Sequence, residues 1–213
     1  MSAARARALL PATLLLLAGC ATVTPREERA FREHPPRSIL ILPPLNESTH
    51  LEGSYRCLST LSRPVAERGY YVFPVAVVDA LLKDSALATP GEMPAATLAK
   101  VRELTGADAV LLTVLHAYGR AHRNLDSDSV VRVSARLVDT RTGSLLWSGD
   151  GAGQSGTGNS PNLLGNGAAA LQVEALSSNT DPGQQLCRLA NAQLFETRRR
   201  ELPYGPYHAN FGR

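Results

Sequence analysis

Two uninterrupted apolar runs do most to limit what this chain can fold into. One is Ser38-Ile39-Leu40-Ile41-Leu42, closed by Pro43-Pro44; the other is Ala109-Val110-Leu111-Leu112-Thr113-Val114-Leu115. Neither alternates with polar residues, so each reads as a strand buried on both faces. Strands of that kind need helices on either side of the sheet, and the rest of the sequence supplies them. Leu58, Leu61, Val65 and Ala66 approximate a helical stripe over Tyr55 to Arg68, with Pro64 marking a kink or early stop. Val77 to Lys83 and Ala95 to Thr105 read as two more helices, the second closed by Gly106 at the position of a C′ glycine. Between them, Tyr70-Tyr71-Val72-Phe73 is a strand by its aromatic and β-branched content, ended by Pro74.

The second half changes character. Val131, Val133, Ala135 and Leu137 alternate with Arg132, Ser134 and Arg136, the mark of an antiparallel strand with one polar face. Asp139-Thr140-Arg141-Thr142-Gly143 turns the chain, and Ser144 to Gly149 returns as the partner strand. Residues 149–167 hold seven glycines and read as a flexible loop. Leu171–Leu176 and Gln184–Phe195 read as helices, and Glu201 to His208 as an extended, aromatic- and Pro-rich tail. The expected fold is a single three-layer-like α/β domain. Its mixed sheet has four or five strands and ends in the antiparallel hairpin and C-terminal helices.

The first twenty residues read as an address. Arg5 and Arg7 precede an apolar stretch from Ala8 to Ala18, which as a helix spans only about 16 Å, too little to cross a bilayer. Leu17-Ala18-Gly19-Cys20 resembles the lipobox of bacterial lipoprotein signal peptides. Small residues let the peptidase close on the backbone, and the Cys20 thiol takes the diacylglycerol. Three acyl chains would hold such a protein on a membrane lastingly. Ala21 stands where an Asp retains many such lipoproteins in the inner membrane, so the resemblance implies a lipid-anchored protein on the periplasmic face of the outer membrane. The expected organisation is a signal peptide at 1–19, a lipidated N-terminus and tether at 20–37, and the α/β periplasmic domain at 38–213.

The charge balance follows from that division. The whole chain has 22 Lys+Arg against 19 Asp+Glu, net +3. Loss of Arg5 and Arg7 with the signal leaves 20 against 19, or +1, which removes the electrostatic case for nucleic acid. Twenty of the basic residues are Arg, but they are scattered, and no aromatics are interleaved with them as a single-strand binder needs.

No motif carries catalytic chemistry. Gly151-Ala152-Gly153-Gln154-Ser155-Gly156 matches G-x-G-x-x-G literally, but it follows the second arm of a hairpin and no later strand completes a dinucleotide fold. His116 and His122, six apart, fit no standard metal spacing. His116 is expected to end a strand, with His122, Asp126 and Asp128 in a loop that could at best bind a cation weakly. No G-x-S-x-G surrounds any serine, although triads are recognised by geometry and their members can lie far apart in sequence. The chain therefore reads as a non-enzyme with no cofactor and no metal ligands. Cys57 and Cys187 are the thiols left once Cys20 is acylated. In an oxidising compartment they bridge if their Cα atoms come within about 7 Å, and otherwise act as small buried hydrophobes.

Three further segments carry a family resemblance. Ile39 to Ser48 resembles the opening strand and loop of TolB N-terminal-like periplasmic domains. Leu104 to Leu111 resembles their helix-to-strand joint, and Leu137 to Trp147 their final hairpin. Tyr70 to Ala76 and the terminal Tyr204-Gly205-Pro206-Tyr207-His208 are similar to a family of small bacterial lipoproteins whose biochemical role is unassigned. That family is often encoded beside a curli-secretion lipoprotein of the CsgG/HfaB type. The resemblance thus implies a binding or assembly component acting with another periplasmic or outer-membrane lipoprotein, with self-association as a further option. Tyr204 and Tyr207 are the candidate partner contacts. The alternatives are an LpoB-like activator of a peptidoglycan synthase, which needs a long reach, or an enzyme using His116, His122 and the Asp126/Asp128 loop.

Overall fold

A computed structural model describes residues 25–78, 80, 93–123, 126–155, 181–197 and 200–212. The signal peptide, Cys20, the helix expected at 171–176, most of the one expected at 77–83 and loop residues 156–167 lie outside the described residues.

The two apolar runs become adjacent parallel strands at the centre of a mixed sheet. β1 (Ser38–Ile41) lies between β3 (Tyr71–Val72) and β4 (Ala109–Arg123), with Ile39 opposite both Val72 and Ala109. Pro43-Pro44 breaks the strand, and β2 (Leu45–Asn46) resumes pairing along β4, with Leu45 opposite Val114. β5 (Asp126–Asp139) and β6 (Leu145–Ser155) complete the antiparallel half, giving six strands in the order β3-β1-β4-β5-β6 with β2 also on β4. The expected four or five strands are thus six, because the chain resumes pairing with β4 as the short β2 after the proline pair ends β1.

Alternation along these strands sorts side chains into two cores, which makes the molecule three-layered. Ile39, Ile41, Leu111, Val133 and Leu137 face α2 (Gly53–Leu58), α3 (Ser62–Glu67) and α5 (Pro182–Glu196), with Leu61, Val65, Leu194 and Phe195 fully buried against them. Leu40, Leu42, Val110 and Leu112 face the opposite way, onto Leu98 and Val101 of α4 (Ala95–Thr105). α4 begins and ends where the sequence places it, and Gly106 closes it with φ 73°.

Four sequence expectations change. Within the segment read as tether, Pro25–Glu33 forms α1, whose Phe31 is buried in the larger core, so the folded part includes residues well before 38. The helix over Tyr55–Arg68 divides at 59–61, upstream of Pro64. Pro64 sits in the first turn of α3, where its missing N–H costs nothing. His116 does not end its strand, because β4 runs on to Arg123; His122, Asp126 and Asp128 are strand residues rather than loop. Lastly, Gly149 to Ser155 is not loop but the outer half of β6.

That last segment pairs in register with β5, Gly151 opposite Val133 and Gly153 opposite Val131. Gly149, Gly151 and Gly153 recur at strand period on the face beneath α5. A Cβ at Gly151 would overlap the Ala190 carbonyl oxygen, one at Gly153 that of Leu186, and one at Gly149 would lie 3.0 Å from that of Leu194. The glycines admit the helix backbone directly onto the sheet, so their role is packing rather than phosphate binding.

Candidate functional site

The antiparallel half of the sheet carries the polar groups, and a local irregularity arranges them. Leu115 pairs with Val133 and Ala117 with Arg132, leaving His116 as the extra residue of a β-bulge. Before the bulge, Val110 and Leu112 face α4; after it the alternation inverts, and Tyr118 packs against the α5-side core. His116 itself stays on the α4 side of the sheet, beyond the area that helix covers. There its Nε2 lies 2.7 Å from Ser134 Oγ, and its Nδ1 lies 2.7 Å from Glu47 Oε2. Glu47 follows β2 and is held by its N–H donating to the Leu115 carbonyl at 3.0 Å. A carboxylate, an imidazole and a hydroxyl from three separate elements thus form one chain of hydrogen bonds. An open groove of about 490 Å³ adjoins it, lined by His116, Arg132 and Asp150 among others.

Along the backbone, His116 and His122 are six positions apart in β4, about 20 Å at strand rise. Among the described residues, no three of His, Cys, Asp and Glu gather as a metal site. Ser134 and Glu47 were not singled out as functional by sequence, because neither neighbours His116 in the chain.

A second concavity of about 330 Å³ lies on the opposite face, between the β2–α2 loop, the outward-running β4–β5 arm and the start of α5. His50 meets Tyr118 edge-on, with ring centroids 5.8 Å apart. Arg56 pairs with Glu52 at 3.0 Å and with Asp181, which also caps α5 by accepting from Gly183 N at 3.0 Å. Leu51, which lines it, is 88% exposed, and Tyr55 of α2 is 67% exposed.

Cys57 in α2 and Cys187 in α5 form a disulfide, with Cα atoms 4.9 Å apart. Both are fully buried. Next to the bridge, Asn191 Nδ2 donates to the Cys57 carbonyl at 3.1 Å and to Thr60 Oγ1 at 2.8 Å.

The C-terminal tail is not a free docking peptide. Gly205 N donates to the Arg68 carbonyl and Tyr207 N to that of Gly69, so the tail lies along the chain entering β3. Gly69, with φ 82°, leaves no room for a Cβ against the His208 backbone. The buried Arg68 guanidinium donates to the Leu202 carbonyl at 2.6 Å, pairs with Glu201 at 2.8 Å and sits over the Tyr204 ring. Tyr70 Oη donates to the Pro203 carbonyl at 2.6 Å, and burial holds its hydroxyl pKa well above the ordinary phenol value. Of the two candidate contact tyrosines, Tyr204 is half-buried and stacked on His208, whereas Tyr207 is 69% exposed.

Sheet order, two-sided helix cover and the buried bridge define a small disulfide-linked α/β domain with a mixed sheet. The chain belongs to the family described as "Putative lipoprotein GNA1162-like", whose family model matches residues 27–207. It is similar to "Putative lipoprotein NMB1124/NMB1162" of Neisseria meningitidis serogroup B, strain ATCC BAA-335 / MC58. The two are 39% identical over 166 residues, covering 78% of this chain and 77% of that one. It is also similar to the crystal structure of lipoprotein GNA1162 from Neisseria meningitidis, at 36% identity and a TM-score of 0.51, covering 66% of this chain and 95% of that one. A more distant likeness is to the LpoB C-terminal domain from Salmonella enterica, at 17% identity and a TM-score of 0.42, covering 63% of this chain and 96% of that one.

Proposed function

We propose that this chain is a lipid-anchored binding component of an assembly at the periplasmic face of the outer membrane, held there by acylated Cys20. Its partner in this reading is a neighbouring lipoprotein of the CsgG/HfaB type, as the resemblance of Tyr70–Ala76 and Tyr204–His208 to a lipoprotein family often encoded beside one implies. Membership of a lipoprotein family supports the anchor, and the start of α1 at Pro25 carries the choice of partner. Five backbone steps separate Cys20 from Pro25, which extend to no more than about 17 Å. A domain on so short a lead meets partners at its own membrane and does not span the periplasm, as an LpoB-like activator would have to. The Leu51/Tyr55 edge, beside the cleft of His50 and Tyr118, offers a rigid aromatic and aliphatic contact for that partner.

Crosslinking in intact cells, followed by gentle membrane extraction, tests this reading. Recovery of a CsgG-type lipoprotein, reduced by Leu51→Glu with Tyr55→Glu, is the expected result. Recovery of a peptidoglycan synthase instead, or of no lipoprotein at all, would overturn it.

A further inference from the structure

The geometry points to Ser134 as a nucleophile for acyl transfer from carboxylic esters, with His116 as its base and Glu47 as the group that orients the base. The inference concerns the open α4-side face of the sheet and is independent of how the opposite cleft docks a partner. It stands on the two 2.7 Å hydrogen bonds that place one imidazole between a hydroxyl and a carboxylate.

The roles follow from the atoms. With Glu47 Oε2 accepting from Nδ1–H, His116 presents an unprotonated Nε2 to the Ser134 hydroxyl, the tautomer a general base needs. The bulge at His116 is the kind of irregularity that re-aims a side chain beside a reactive group. Access is open: Ser134 is half-buried, and the His116 side chain is 43% exposed at the rim of the groove. Arg132 lies two residues along β5, on the same face as Ser134, and lines the groove together with His116. Among the described residues its guanidinium makes no hydrogen bond or ion pair, so it is available to an oxygen that gains negative charge.

The reaction balances as an ester hydrolysis. Ser134 Oγ bonds to the ester carbonyl carbon while its proton passes to His116 Nε2, and the carbonyl oxygen takes the electron pair opposite Arg132. The bond to the leaving oxygen then breaks, and the alcohol departs with the proton from Nε2. Water repeats the sequence on the acyl-serine: its oxygen bonds to the acyl carbon, its proton goes to Nε2 and then to Oγ, and the acid leaves. The net change is ester plus water to acid plus alcohol.

The test uses the full chain purified from membranes, a fluorophosphonate probe and p-nitrophenyl butyrate. Stoichiometric phosphonylation mapped to Ser134, with burst release of nitrophenol, is expected. His116→Gln should slow labelling by about a hundredfold or more, the usual contribution of a general base. Glu47→Gln, which keeps the shape but loses the carboxylate, should slow it about tenfold and shift the pH profile of labelling. Ser144→Ala, in the hairpin turn, should leave the rate unchanged. Circular dichroism and thermal melting confirm that each variant is folded. Labelling no faster than that of the heat-denatured chain, or labelling of Ser134 that ignores His116→Gln in a folded protein, would overturn the assignment.

Discussion

Cys57 and Cys187 are 130 residues apart in sequence, yet their Cα atoms lie 4.9 Å apart, and the bridge between them joins α2 to α5. These two helices form much of the layer over the larger core, so the bond ties the first third of the chain to the last. Around it, Asn191 holds the Cys57 carbonyl and Thr60, which fixes α5 against the chain just past α2 even without the covalent link.

Reduction of that bridge, or Cys57→Ser, is expected to destabilise the domain by up to about 5 kcal/mol. A closed loop of this length removes that much entropy from the unfolded chain. Thermal melts with and without reductant measure it. A midpoint that does not move would mean the link contributes nothing beyond the packing already there.

Gly151→Ala should destabilise the domain by about 2 kcal/mol or more, because the new methyl group meets the Ala190 carbonyl and α5 must lift from β6. Gly106→Ala has open space around it and pays only for its left-handed backbone, about 1 kcal/mol. Urea midpoints of the two variants should therefore rank in that order; the reverse order would refute the account of the glycine stripe.

Arg68→Met should release the tail. It removes the donors to Leu202 and Glu201 and the cation above Tyr204, at a cost of about 2–4 kcal/mol, since a buried carbonyl loses its partner. Limited proteolysis read by mass spectrometry should then cut between residues 200 and 212, where the parent protein resists.

Alkali should act on the same contact. Burial raises the Tyr70 hydroxyl pKa above its ordinary value of 10.0, so the folded state favours the protonated phenol that donates to Pro203. A raised pKa contributes stability that is complete below the ordinary value and is lost as pH climbs from there towards the folded one. Stability should thus fall as pH rises above about 10, and Tyr70→Phe should flatten that fall while lowering stability at neutral pH. Denaturation midpoints across the alkaline range, compared between the two proteins, read both effects.

Much of the architecture was legible one segment at a time. Ile39 to Leu42 and Ala109 to Leu115 read as doubly buried strands because both faces of each are apolar, and the structure buries Ile39 and Leu40 on opposite sides of the sheet. Ala95 to Thr105 with Gly106 read as a complete helix with its stop, since periodicity and capping are settled within a dozen residues. The signals failed where a residue answers to a distant neighbour. Gly149, Gly151 and Gly153 look like loop by composition, and only α5 arriving above them makes them strand. The charged segment Pro25–Glu33 looks like tether, and becomes a helix because Phe31 finds the core.

The sequence by itself determined the elements whose pattern is local, the doubly apolar strands at Ile39–Leu42 and Ala109–Leu115 and the helix Ala95–Thr105 with its stop at Gly106, because those properties are set by neighbours one to four residues away. Only the tertiary structure decided that Cys57 meets Cys187, that Arg68 grips the tail at Leu202, and that Glu47, His116 and Ser134 share one line of hydrogen bonds. The physical reason is the same in each case. These contacts join residues far apart in the chain, up to 134 positions for Arg68 and Leu202, and depend on strand order, on register and, at His116, on a single-residue bulge. Local propensity carries no record of which partner the fold will bring.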